Sequence, residues 1–236
     1  PVVYISLSKD LPPLDTRDEV VRTLKVFLDG QEQKQKAGVD PTKVEGFTHL
    51  KREDLPEGIL AGALTTEGCP DYFSYPKETG TDWAQRIINF GMGNGMGTVG
   101  PGKCELKYAD RLADALGLPS DVHRAIAIHK FHDALSKEDL LTLEISSRYF
   151  GPGVLGVRQA SKHLFGKEPK QLTLAECAEL LMAEGHYQDI LNCKDPIRLG
   201  IWRNNVLDAM EGLNLIKKDA ADRARKEPLH CRSRAG

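Results

Sequence analysis

Fifty residues, Leu135 to Glu184, constrain this chain more than all the others: LSKEDLLTLEISSRYFGPGVLGVRQASKHLFGKEPKQLTLAECAELLMAE. Ser136-Lys137-Glu138-Asp139 is a charged helix start. Leu140, Leu141, Leu143 and Ile145 follow as an apolar-periodic helix. Gly151-Pro152-Gly153 then forces a turn, because proline lacks a backbone donor and glycine admits conformations closed to other residues. Two more helical stretches come after it. A chain written this way is built from helices joined by short turns.

The remaining sequence agrees. Residues 1–10 alternate enough for a short strand, ended by Leu11-Pro12-Pro13. Residues 16–37 predict a helix that decays into a Gln/Lys segment. Together they suggest an N-terminal strand-helix extension over 1–45, ahead of a main domain over 46–236. From Pro56 the pattern is helical, with Ile59, Leu60, Ala63 and Leu64 on one apolar face and Gly68 just past the end. Asp82 reads as the cap of a helix running to Phe90. Further helices are expected near 105–116, 120–134, 137–147, 156–165, 173–185, 196–213 and 219–226. The fold class is mainly α, with at most a small sheet near the glycine loop at 91–102.

Composition excludes several roles. Of 236 residues, 40% are hydrophobic and 28% charged, the balance of a globular chain with enough length for a proper core. A net charge of -2 gives no reason to expect nucleic acid, which needs a basic face. Lys217, Lys218, Arg223, Arg225 and Lys226 are interleaved with Asp219, Asp222 and Glu227, the pattern of a solvated helix. No apolar run approaches the roughly 20 residues of a membrane span, and no secretion signal opens the chain. Five cysteines without CxxC spacing indicate neither a zinc site nor a full disulfide framework. Cys177 reads as a small core residue, and a Cys69–Cys104 bridge is left open. His129 and His132 have helical spacing for a metal but no third ligand in view, so they read as helix-surface or packed residues. No cofactor is expected.

Glu67 is the residue with chemical promise. It ends an apolar helix, at the negative end of the helix dipole and beside greasy side chains, and both effects favour the protonated acid. Lysozyme's general-acid glutamate, a worked example of such tuning, follows this logic. The plainer reading is an exposed residue on a last turn. A glycine-rich loop, Gly91 to Gly102, carries six glycines in 12 residues and suits close approach of backbone to a sugar chain. Tyr72, Phe73, Tyr75 and Trp83 could stack on sugar rings or simply pack.

These residues carry a family likeness. Leu135–Glu184 resembles the second half of the peptidoglycan glycosyltransferase domain (glycosyltransferase family 51), a member of the lysozyme-like superfamily. LPEGILAGALTTEGCPDYF resembles the helix that ends in the essential glutamate of that family's E-D-x-x-F-x-x-H-x-G signature. Glu67 takes the catalytic position, Gly68 replaces the aspartate, Asp71 and Phe73 follow, and Glu78 stands for the histidine. Against G-x-S-T-I-T-Q-Q-L, the chain offers Gly95, Gly97, Thr98 and Val99. The R-K-x-x-E motif falls on Ser120 to Arg124 and loses its glutamate and its Arg-Lys pair, leaving His123 and Arg124. K-x-x-I-L-E-x-Y-L-N becomes Lys137 to Ser146, with Thr142 and Ser146 in place of glutamate and asparagine. Arg148-Tyr149-Phe150-Gly151, Gly156, Phe165-Gly166-Lys167 and Leu172 to Glu176 agree well, and Arg203-Asn204-Asn205-Val206-Leu207 preserves the last motif behind Trp202.

The resemblance implies a lysozyme-like helical domain acting on the MurNAc–GlcNAc strand of peptidoglycan, in the bacterial envelope or periplasm. Glu67 is the expected general acid/base, with Glu78, Asp71 or Glu105 as a second carboxylate. Gly95, Gly97, Thr98, Val99, Tyr72, Tyr75 and Arg124 are the expected substrate contacts. Cleavage, of muramidase or lytic transglycosylase type, needs the fewest groups. Polymerisation of lipid II, which needs cations for the departing pyrophosphate, and an inactive glycan-binding role are the alternatives. Without a membrane span in this chain, delivery into a target envelope, opposed by an immunity protein, is one route.

Overall fold

The computed structural model describes residues 10–35, 46–77 and 103–230, apart from the side chains of 31–35. Along the chain these form α1 (Arg17–Gln35), a 3-10 turn (Arg52–Asp54), α2 (Glu57–Thr66), α3 (Lys103–Ala115), α4 (Asp121–Ala134) and α5 (Lys137–Ser147). After them come β1 (Tyr149–Gly151), β2 (Val154–Leu155), α6 (Gly156–Phe165), a second 3-10 turn (Pro169–Gln171), α7 (Leu174–Met182), α8 (Tyr187–Leu191), α9 (Pro196–Gly212) and α10 (Lys218–Lys226). The protein is mainly helical, as the pattern predicts. The strand over 1–10, the boundary near 45, the helix at 83–90 and the glycine loop lie outside the described residues.

The described residues fall into two compact units, one drawn from Pro1–Ala37 and Asp71–Ser147, the other from Gly38–Pro70 and Arg148–Gly236. In the first, α3 packs against α1, α4 and α5. Its core holds Leu24 of α1, Leu106, Tyr108 and Leu112 of α3, Ile128 and Phe131 of α4, and Leu140 of α5. Each large aliphatic side chain buried there contributes about 1.5–3 kcal/mol. The start of α4 is fixed by Ser120, whose hydroxyl accepts the His123 N–H, a cap that contributes about 1 kcal/mol.

In the second unit α2 packs against α7 and α9, while α7 also meets α6 and α10. Spacing predicts a single apolar face for α2, but Gly58 through Leu64 are all buried. The helix is enclosed on every side, because neighbours approach its glycine positions as closely as its aliphatic ones. A Cβ built on Gly62 would lie 1.9 Å from Leu181 Cδ1 of α7, so only glycine permits this approach. The start of α7 is a capping box in which Thr173 and Glu176 satisfy each other's backbone N–H groups. Asp195 caps α9 by accepting the Arg198 N–H, with Pro196 opening the helix. The sheet among the described residues is the antiparallel hairpin β1–β2, Tyr149 opposite Leu155 and Gly151 opposite Val154, closed by the Gly-Pro-Gly turn.

Cys177 is free and buried, and burial pushes its thiol up to about 12. Cys69, Cys104 and Cys193 are disulfide-bonded, though no spacing in the sequence marks them for pairing. Among the described residues no helix is long and apolar enough to cross a membrane, and no group of three or more His, Cys, Asp or Glu is placed to hold a metal ion.

Candidate active site

Glu67 is the C-cap of α2, and the turn after it is specified by its neighbours. The Gly68 N–H donates to Thr65 O at 3.0 Å and the Cys69 N–H to Leu64 O at 2.7 Å. This is the Schellman arrangement, which requires a left-handed residue at Gly68, here with φ 67°. Glycine is the residue that best makes this turn. Thr65 and Thr66 donate their hydroxyls to the carbonyls of Ala61 and Ala63 in the same last turn.

Glu67 itself is 8% exposed, which removes the reading of a solvated last-turn residue. Its Oε1 lies 3.5 Å from Nη2 of Arg148, a residue just ahead of β1. Arg148 is as deeply buried, and its Nη1 donates to Oε2 of Glu184 at 3.4 Å, in the turn after α7. The Arg148 main chain is held in turn, since its carbonyl accepts the Gly156 N–H at 2.7 Å. The helix end and the loss of water both work against charge on Glu67, whereas a guanidinium beside it works for charge. Composition and spacing give no warning of this pair. Its one trace is a charged residue inside a stretch otherwise made of turn and core positions.

The other described candidates belong to the first unit. Asp71 is exposed. Tyr72 is buried; its hydroxyl donates to Lys137 O at 2.8 Å and its ring packs edge-on against Tyr108 at 5.2 Å. Burial, and then the nearby Glu105, push the Tyr72 phenol well above its ordinary range. It is a core residue. Tyr75 and Phe73 do present exposed rings. Arg124 is engaged by two carboxylates, Asp110 at 2.6 Å and Asp114, and the Asp110 hydrogen bond raises its pKa further. Glu78, Gly95, Gly97, Thr98 and Val99 lie outside the described residues.

Glu105 is fully buried, with Lys137 Nζ 3.2 Å from one carboxylate oxygen and His132 Nε2 3.7 Å from the other. The same ammonium donates to Tyr75 O at 2.9 Å and sits 4.6 Å above the Tyr72 ring. Lys77 donates to the carbonyls of His132 and Leu135, and burial lowers its pKa. His129 faces Asp133 at 3.0 Å along its own helix. Thr142 and Ser146 donate to Asp139 O and Thr142 O within α5, so these hydroxyls serve the helix backbone. Glu144, at the family's tyrosine position, pairs with Arg111 at 2.8 Å.

Comparison with known proteins agrees with the sequence pattern. Residues 118–211 match the family described as Transglycosylase. A penicillin-binding protein 1A of Rickettsia felis is 28% identical over 124 residues, 52% of this chain and 16% of that protein. A Cupriavidus necator protein named as a transglycosylase is 32% identical over 114 residues, 47% of this chain and 48% of that protein. A penicillin-binding protein 1A of Neisseria flavescens is 32% identical over 111 residues, 46% of this chain and 14% of that protein. The chain therefore spans less than half the length of each of these relatives. The match takes in α4 to α9, the helices and hairpin that carry Arg148 and Glu184. Over residues 118–211 the chain is thus similar to the transglycosylase family, in keeping with the resemblance its motifs carry.

Proposed function

We propose that the chain is a transglycosylase acting on the β-1,4-linked MurNAc–GlcNAc glycan of peptidoglycan, with Glu67 as its acid/base residue. One observation carries the reading: a carboxylate buried at the end of an enclosed helix, paired with a buried guanidinium. A carboxylate so placed serves best as a base. It takes the proton of an attacking sugar hydroxyl as that oxygen bonds to the donor's anomeric carbon and the bond to the leaving phosphate breaks. This is the polymerising direction, with lipid II as donor. The name of the Cupriavidus necator relative supports a transglycosylase in either direction, and the disulfide-bonded cysteines suit an oxidising compartment such as the envelope.

Strand cleavage is the second reading, favoured by Arg124. Its commitment to Asp110 and Asp114 leaves it poorly placed to neutralise a departing pyrophosphate, a charge that cleavage never creates. In cleavage the same glutamate protonates the leaving glycosidic oxygen.

Incubating the protein with lipid II and, separately, with purified peptidoglycan tests both. Long glycan strands from lipid II are the expected result, and Glu67→Gln abolishes them. Soluble muropeptides from peptidoglycan reverse the direction but keep the site. Absence of both products, with Glu67→Gln leaving glycan affinity unchanged, makes the chain an inactive glycan-binding homologue.

A further inference from the structure

We propose that Arg148 is a positioning residue: its guanidinium keeps the Glu67 carboxylate charged and aimed for proton abstraction, and Glu184 shares and tempers that charge. The inference rests on the base role proposed for Glu67.

The three side chains form an ordered series. Glu67 lies deepest, its Oε1 3.5 Å from Arg148 Nη2. The other terminal nitrogen of Arg148 is 3.4 Å from Glu184, whose side chain is 42% exposed. A single guanidinium thus faces one buried carboxylate and one in contact with solvent. The buried contact has the stronger electrostatic effect, because it is least screened. Arginine suits this place because its planar fork presents two nitrogens in a fixed geometry and stays charged at any working pH. Its backbone is anchored by the Gly156 N–H, which keeps the head from swinging away.

Among the described residues, the carboxylates of α7 are engaged with other groups. On α7, Glu176 is held by Lys167 at 2.6 Å, and Glu179 faces Arg203 of α9 at 3.6 Å and accepts the His230 N–H at 3.3 Å. Cys69, two residues past Glu67, is disulfide-bonded and does not titrate. Arg148 is the cation that the described contacts set against Glu67.

A base must be ionised to act, so the acid limb of the pH–rate profile reads the state of Glu67. Arg148→Gln is expected to move that limb to higher pH by about one unit, the smaller end of the effect of a neighbouring guanidinium on a carboxylate. This is about a tenfold loss of rate on the acid side. Arg148→Lys restores part of it. Glu184→Gln moves the limb the other way, since Arg148 then no longer divides its charge between Glu67 and Glu184. Carboxyl NMR of the 13C-labelled protein, with the Glu67 signal assigned through Glu67→Gln, follows the same titration without substrate. Should Arg148→Gln fail to fold, Arg148→Lys and Glu184→Gln decide. Profiles and titrations that superimpose on wild type, while Glu67→Gln is inactive, overturn the positioning role. An active Glu67→Gln overturns the base reading itself.

Discussion

Glu67 meets Arg148 at 3.5 Å with both side chains almost wholly out of water. Two charges in such a place are interdependent. Taking either out of water costs several kcal/mol, and the partner offsets part of it.

The pair therefore predicts an asymmetric mutational cycle. Arg148→Met leaves Glu67 buried without this guanidinium and is expected to cost about 3 kcal/mol. Glu67→Gln is expected to cost less, about 1 kcal/mol, because Arg148 keeps Glu184. The double variant recovers at least about 1 kcal/mol relative to the sum. Urea unfolding of the four proteins measures this. A coupling near zero would show that the approach carries no energy.

A second buried acid predicts how stability varies with pH. Burial pushes Glu179 up to about 7 from 4.5, against the opposing pull of the His230 N–H and of Arg203. A carboxyl with a raised folded pKa binds its proton more tightly in the native state. Its contribution is complete below the unfolded value of 4.5 and is lost as pH rises through about 7. Unfolding free energies measured from pH 4.5 to 8 should fall by up to a few kcal/mol from this group. Glu179→Gln should flatten that slope. An unchanged slope in the variant assigns it to other groups.

Gly68 predicts a local strain. At φ 67° an alanine would meet the left-handed penalty of about 1–2 kcal/mol, although nothing stands within 4 Å of its added Cβ. Gly68→Ala should therefore lower the melting temperature through its backbone alone. Asparagine at the same site should recover much of the loss, since its short polar side chain tolerates this conformation. Equal melting temperatures for glycine and alanine would contradict the turn as described.

Tyr72→Phe separates packing from sugar contact. Losing the hydroxyl that donates to Lys137 O should cost about 1 kcal/mol in stability. With the ring in the core, glycan affinity measured by calorimetry should not change. A drop in affinity at equal stability would return Tyr72 to the substrate surface.

The helices were legible because their signals are local. Residues 137–147 and 156–165 match α5 and α6, since each stretch carries its own caps, periodicity and breakers. Glu67 was legible as the end of an apolar run. Its partner was not, because Arg148 lies far along the chain and nothing local links a pre-strand arginine to a helix end. Tyr72 shows the same limit, its spacing being compatible with stacking or with packing. Enclosure of α2 was hidden too, because glycine on a helix face reads as a gap until a neighbouring helix fills it. The short α8 escaped notice, since five residues are too few to display a period.

The missing side chain at position 62 has reach beyond its own contact. Five residues on, about 7.5 Å along the axis at 1.5 Å per residue, stands Glu67. A methyl group at 62 must displace Leu181 or the helix itself, and a sliding helix carries its last carboxylate with it. The alignment of Glu67 is thereby written partly in an atom the chain leaves out, which offers protein engineers a lever on that carboxylate from mid-helix.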